Sequence, residues 1–265
     1  MSEVLDIHGE APVQFSESEW QARVDLAACY RLVDYYGWTD QVYNHITLRI
    51  PGTDHLLINE FGLRYDEITA SNLVKIDIDG NQVDGGERPV NLAGYTIHSA
   101  VHAARPDDLH CVLHTHSDNA VALSCLDCDF MPITQTGCRF EGRVGYHDFE
   151  GIALDLEERE RLVADLGTEN HTLILRNHGV LTAGEDVPTA FQRLYSFEQA
   201  AGIQLRVMAA SGASGVPIRK PSHNVVRHTR EQFEGGEARA GATSAIPSWP
   251  GYLRLLDNLD PSWRQ

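Results

Sequence analysis

His114 and His116 are separated by one residue at the end of the apolar run CVLHTH. On a strand the side chains alternate between faces, so residues two apart project to the same side and their imidazoles can grip one ion. Neutral imidazole suits zinc, iron, manganese and cobalt alike. The pair alone is equally consistent with two hydrogen-bonded histidines at a strand end, so a third ligand has to come from elsewhere. His178 is the candidate: Asn177-His178-Gly179 ends a second apolar run, HTLILRNHG, and Gly179 is expected to let the backbone turn sharply just past the ligand. Three histidines on one divalent ion leave coordination positions open to substrate, the arrangement of a catalytic rather than a structural metal. The chain has 13 histidines. His98 and His102 lie four apart on a helical run and can share a face, and His147 sits in the polar Tyr146-His147-Asp148 run; these suit supporting hydrogen bonds or helix packing more than ligation.

The elements that must position these residues can be read from periodicity. Residues 17 to 36 place Trp20, Val24, Ala27, Ala28, Leu32 and Tyr35 at spacings of three and four, an amphipathic helix that Gly37 closes. From His45 the pattern changes to ITLRI, HLLIN and VKIDIDGNQV, a meander of antiparallel strands with a turn at Asp79-Gly80. Helical spacing returns over 93 to 104, CVLHTH reads as a buried strand, and 117 to 126 as the next helix. A charged helix over 154 to 167 precedes the strand at 171 to 179, and a long helix over 187 to 210 follows it with Pro188 in its first turn. The Gly-, Ser-, Ala- and Pro-rich stretches at 211 to 217 and 234 to 247 predict a mobile tail, with WPGYLRLLDNLD as a helical anchor. The division expected is an N-terminal arm over 1 to 16, a metal-binding domain over 17 to 210 and the tail over 211 to 265.

Composition narrows the classes. A formal charge of −17, with Lys75 and Lys220 the chain's two lysines, excludes a nucleic-acid partner, whose phosphates are bound by clustered cations. No apolar run approaches the roughly 20 residues that span a bilayer, and the acidic start MSEVLDIHGE is unlike a signal peptide, so a cytoplasmic protein without membrane contact is expected. Cys29, Cys111, Cys125, Cys128 and Cys138 are an odd set in a chain long enough to fold without disulfides. Cys125-Leu-Asp-Cys128 has no second CxxC to complete a thiolate site, and all five are expected to be buried thiols without chemistry.

HTH at 114 to 116 with NHG at 177 to 179 resembles the class II aldolase/adducin-like family, and Asn44-His45-Ile-Thr, FGLRYDEITASNLVKID, HSAVHAARPD and WPGYLRLLDNLDPSWR are similar to its adducin-like branch. The resemblance implies an α/β fold, an αβα sandwich around a mainly antiparallel central sheet. It also implies one divalent metal held by His114, His116 and His178, with zinc first and Fe(II), manganese or cobalt as the alternatives, and a homo-oligomer, commonly a tetramer. Asn44 and Gly62 match the family's backbone around the substrate phosphate.

The departures from that family bear on the chemistry. Its sugar-phosphate aldolases carry Ser-Ser-Glu at the start of the helix before the HxH strand, and aligning His98 and the following RPD puts Leu92, Ala93 and Gly94 there. A general base and a phosphate cradle are both missing. The expected function is therefore a lyase or decarboxylase breaking a C–C bond in a small, unphosphorylated 2-oxo or hydroxy acid through a metal-stabilised enolate. Tyr146, His147, Asp148 and His98 are the candidates for proton transfer. Two alternatives stand beside it: a non-haem Fe(II) oxygenase that decarboxylates a 2-oxo acid at the same histidines, and a non-enzymatic, adducin-like interaction protein.

Overall fold

The computed structural model describes residues 14 to 151, 157 to 239 and 246 to 265. Its centre is a seven-stranded sheet ordered β3-β2-β1-β4-β7-β6-β5. The strands are β1 (His45–Arg49), β2 (Leu56–Ile58), β3 (Val74–Ile76), β4 (Cys111–Thr115), β5 (Val144–His147), β6 (Thr172–Leu175) and β7 (Gly179–Gly184). Every neighbouring pair is antiparallel except β5 with β6, which are parallel because a helix, α4 (Glu158–Leu166), lies in their connection. The other helices are α1 (Glu17–Tyr35), α2 (Leu92–Ala104), α3 (Asp118–Ser124), α5 (Val187–Ser214), α6 (His223–Arg239) and α7 (Trp249–Leu259).

The alternation of side chains along β4 divides the molecule into layers. Cys111 and Leu113 enter the large core with Ile46 and Leu48 of β1, covered by α1, α5 and α7. Val112 enters a second core with Leu173, Leu181 and Ala183, covered by α2 and α4. The result is the expected αβα sandwich with helices on both faces of a mainly antiparallel sheet. The same period of two sends His45 and Thr47 of β1, and His114 of β4, to the α2 side, and antiparallel pairing sets His45 directly opposite His114.

Helix boundaries follow local chemistry. Ser16 caps α1 by accepting from the Glu19 N–H at 3.2 Å, with Glu17 and Glu19 in the positive first turn, and Gly37 beyond its end holds φ +69°. Asp186 caps α5 by accepting from the Thr189 N–H at 2.8 Å, and Gly215 ends it at φ +70°.

Four readings are corrected. HTLILRNHG is not one strand: β6 stops at Leu175 and β7 starts at Gly179, with Arg176 to His178 as a hairpin loop. VKIDIDGNQV turns where expected but pairs only briefly: β3 covers Val74–Ile76, Asp77 Oδ1 accepts from the N–H groups of Asp79 and Asn81 at the turn, and Gln82 returns as an isolated antiparallel bridge to Ile76 and not as a full strand. The segment read as loosened is in good part helical, since α5 runs to Ser214 and α6 fills 223 to 239; residues 240 to 245, like 1 to 13 of the arm and 154 to 156 of the charged helix, lie outside the described residues. Cys125 is exposed and Cys128 half-buried, while Cys29, Cys111 and Cys138 are buried; all five are free thiols.

Candidate metal centre and its cleft

His114 is on β4, His116 just past its end, and His178 at the tip of the β6–β7 hairpin, where they converge. His116 Nε2 lies 2.9 Å from the Nε2 atoms of both His114 and His178. Their other ring nitrogens decide what these contacts are. His114 Nδ1 is 3.0 Å from the Val180 carbonyl and His116 Nδ1 is 2.9 Å from Asp40 Oδ2, and both partners only accept. Each neutral ring therefore carries its hydrogen on Nδ1, and two Nε2 lone pairs face each other across 2.9 Å. That juxtaposition is repulsive until a cation sits between them, and the spacing suits ligands bound at about 2.0–2.1 Å. Burial, and then the neighbouring imidazoles, hold His114 well below its ordinary value and push His178 down to about 4, so both are neutral and ready to ligate near pH 7. The residues present fit a divalent metal.

The hairpin tip is held by three features. Asn177 adopts φ +57°, the left-handed conformation that asparagine tolerates, and its N–H donates to the Ser124 carbonyl at 3.2 Å. Arg176 donates to the Leu126 and Cys128 carbonyls at 2.9 and 3.1 Å, tying the loop to the end of α3. Gly179 has a different task from the turn expected of it: a Cβ there would collide with the Thr115 carbonyl oxygen of β4.

The histidines open on a cleft of about 430 Å³ walled by Tyr43, Phe61, Ile97 and Phe149 and also touched by Asp40, His45, Asn91 and Gly94. No lysine or arginine is among its described lining residues. His45 is 3% exposed, and burial first, then His116 and His178, push it down to about 3.

The residues read from sequence as proton carriers separate. Tyr146 packs toward the large core on the opposite side of the sheet, and its hydroxyl accepts from the Phe130 N–H at 2.8 Å. His147 points to α4, with Nδ1 2.8 Å from Asp165 and Nε2 3.4 Å from Glu158. Asp148 is exposed, and none of the three lines the cleft; the adjoining Phe149 does, 6.4 Å from the His178 ring. His98 is fully buried and reaches the cleft only through His45, 2.9 Å away. Asn44 is buried and accepts from the Asp40 N–H at 2.6 Å, so it positions the loop bearing Asp40. Gly62 is exposed at φ +101°, beside the cleft-lining Phe61.

Two residues of the site escaped sequence reasoning, Asp40 and His45. An outer carboxylate has no spacing signature, because it reaches His116 from 76 residues away. His45 did stand in the Asn-His-Ile-Thr motif, but its place depends on β1 pairing with β4, which periodicity does not reveal.

Comparison with known proteins agrees with this geometry. Residues 24–205 match the family model for the class II aldolase and adducin N-terminal domain. The chain is 42% identical over 265 residues, all of both chains, to a Pseudomonas aeruginosa protein that bears the provisional name aldolase class 2 protein. It is 38% identical to rat alpha-adducin over 267 residues, 97% of this chain but 36% of the adducin. Among solved structures, an aldolase II superfamily protein from Pseudomonas syringae superposes with TM-score 0.86 at 46% identity, covering 95% of this chain and 98% of that one. L-fuculose 1-phosphate aldolase from Glaciozyma antarctica gives TM-score 0.79 at 27% identity, covering 98% of each. On its sequence, its sheet and its histidine cluster, the chain belongs to the class II aldolase and adducin family.

Proposed function

We propose that this protein is a divalent-metal lyase or decarboxylase that breaks a C–C bond in a small, unphosphorylated 2-oxo or hydroxy acid. The observation that carries the reading is the convergence of three imidazoles in a cleft whose described lining holds no lysine or arginine. A phosphate dianion buried there would lack the cations and donors that compensate its desolvation. His114, His116 and His178 hold the metal, zinc in the first instance, and Asp40 keeps His116 in its ligating tautomer. The bound cation supplies Lewis-acid stabilisation of the charge left when the bond breaks. Phe61, Ile97 and Phe149 would give that charge apolar walls. In the same reading the protein is cytoplasmic and works as a homo-oligomer, a tetramer by family resemblance.

The test is titration calorimetry on zinc-loaded protein, with pyruvate and glycolate set against pentulose and hexulose phosphates. The acids are expected to bind more tightly, and His116→Ala is expected to purify without metal and to bind neither class. Sugar phosphates binding roughly tenfold better than any such acid would return the protein to the sugar-phosphate aldolases. A second reading, a non-enzymatic interaction protein, is favoured by the 38% identity to alpha-adducin. Protein that stays folded and takes up no zinc, manganese or iron would favour it. The oxygenase alternative has no observation in its support, and the relatives described above carry aldolase and adducin names.

A further inference from the structure

The cleft over the histidine cluster is larger and more apolar than a three-carbon acid needs. It encloses about 430 Å³, and most of its polar groups gather at the cluster, with Asp40 on His116 and His45 opposite His114. Asn91, further along the lining, is already engaged: its Oδ1 accepts from the Gly94 N–H at 3.3 Å and its Nδ2 donates to the Tyr43 carbonyl at 3.5 Å. The remaining walls are aromatic and aliphatic. Phe61 is half-buried, Ile97 is buried, and Gly94 and Gly151 add no side chain that would narrow the space.

Tyr43 and Phe149 add a second observation. They are 51% and 56% exposed, and Tyr35 is the other exposed aromatic ring among the described residues, so two of the three stand on this one cleft. Large rings left in water beside a polar centre mark a surface that something apolar covers. Both are close to the cluster. The Phe149 ring centre lies 6.4 Å from that of His178, near enough for one ligand to touch the ring and reach the imidazoles. The Tyr43 N–H donates to the Asp40 carbonyl at 3.0 Å, which fixes its loop to the residue that holds His116. On the facing wall the Phe61 N–H donates to the Pro89 carbonyl at 2.8 Å. The apolar walls are thus tied in place before any ligand arrives.

We propose, resting on the carboxylic-acid reading above, that the substrate is a 2-oxo or 2-hydroxy acid bearing an apolar substituent, branched alkyl or aromatic, and that Tyr43 and Phe149 select it, with Phe61 and Ile97 as the wall behind. The acid end meets the histidine cluster, and the substituent covers the rings and releases the water on them. A polyhydroxylated chain is disfavoured for the converse reason. Its hydroxyls would exchange water for rings and aliphatic carbon, which return no hydrogen bonds.

The experiment is titration calorimetry on zinc-loaded protein with pyruvate, 4-methyl-2-oxopentanoate, phenylpyruvate and 2-oxogluconate, the last comparable in size to the apolar pair but hydroxylated. The better of the two apolar acids is expected to bind about tenfold or more tightly than either pyruvate or 2-oxogluconate. Tyr43→Ser and Phe149→Ser alter rings that already stand in solvent, so both variants are expected to fold and to retain a full equivalent of zinc. Each is expected to lower the preference for the apolar acid over pyruvate about threefold or more, and the double variant to abolish it. Apolar acids no tighter than pyruvate, a tighter 2-oxogluconate, or a preference that survives the double substitution each overturns the proposal. So does a changed oligomeric state in light scattering with the preference intact, which would assign the rings to a subunit contact. Zinc-loaded protein that binds none of these acids overturns the substrate reading together with this proposal, while equal binding of pyruvate and the apolar acids overturns this proposal alone.

Discussion

Gly94 shows how one missing side chain can be read. Glycine in a helix costs about 1 kcal/mol relative to alanine, so Gly94→Ala in the first turn of α2 would ordinarily stabilise the protein. Here the added Cβ falls in the His45 ring, which is itself held by His98. The ring cannot swing away without breaking a buried hydrogen bond, and overpacking of this kind costs roughly 1–3 kcal/mol. Gly94→Ala is therefore expected to lower the urea midpoint, against its helix propensity, and His45→Ala in the same chain to recover most of the loss. Simple additivity of the two substitutions would show that the residues do not touch.

The β6–β7 hairpin makes the corresponding point for an element. Its loop carries His178, and its first β7 residue, Gly179, approaches Thr115 too closely for a side chain. Gly179→Ala must push β7 from β4, and because His178 is on one strand's edge and His114 and His116 on the other, the cluster opens as the strands part. A loss of roughly 1–3 kcal/mol in stability is expected together with weakened zinc uptake measured by metal analysis. Full uptake by a destabilised variant would mean that the hairpin loop, not the strand spacing, sets the site. The histidine cluster itself was legible because types and spacing carry it: His-x-His on an apolar run, then Asn-His-Gly. What stayed hidden depends on which strands become neighbours. His45 meets His114 only through the β1–β4 register, and Tyr146 faces the large core because the β5–β6 register sets it opposite Ile174, a residue of that core. Helix α6 was obscured for another reason, since its composition is polar and glycine-containing, and its place is fixed by contacts such as Arg143 with Glu234 at 2.9 Å rather than by an apolar stripe of its own.

For the whole molecule, the buried histidines set the acid limit of stability. His98, His102 and His171 are neutral in the fold, held below their ordinary value first of all by burial, His102 to about 3, and none is a ligand of the metal. In the unfolded chain the same rings titrate near 6.5, so between about pH 3 and pH 6.5 the unfolded state binds more protons than the native one. Stability accordingly rises with pH across that window, is fully present above about 6.5, and is lost as pH falls below it. The acidic excess works the other way, because protonating carboxylates relieves the self-repulsion of a chain carrying −17, but carboxylates titrate near 4 and contribute little above about pH 5. The interval from about pH 6.5 to 5 thus isolates the histidines. Each fully buried neutral ring contributes a slope approaching 1.4 kcal/mol per pH unit at its lower end. Urea unfolding of chelator-treated protein, which removes the pH dependence of metal release, is expected to weaken steadily over this interval, and His102→Phe to be less steep by about one proton, whatever its stability near pH 7. A flat profile in that interval would mean that these rings are charged in the fold.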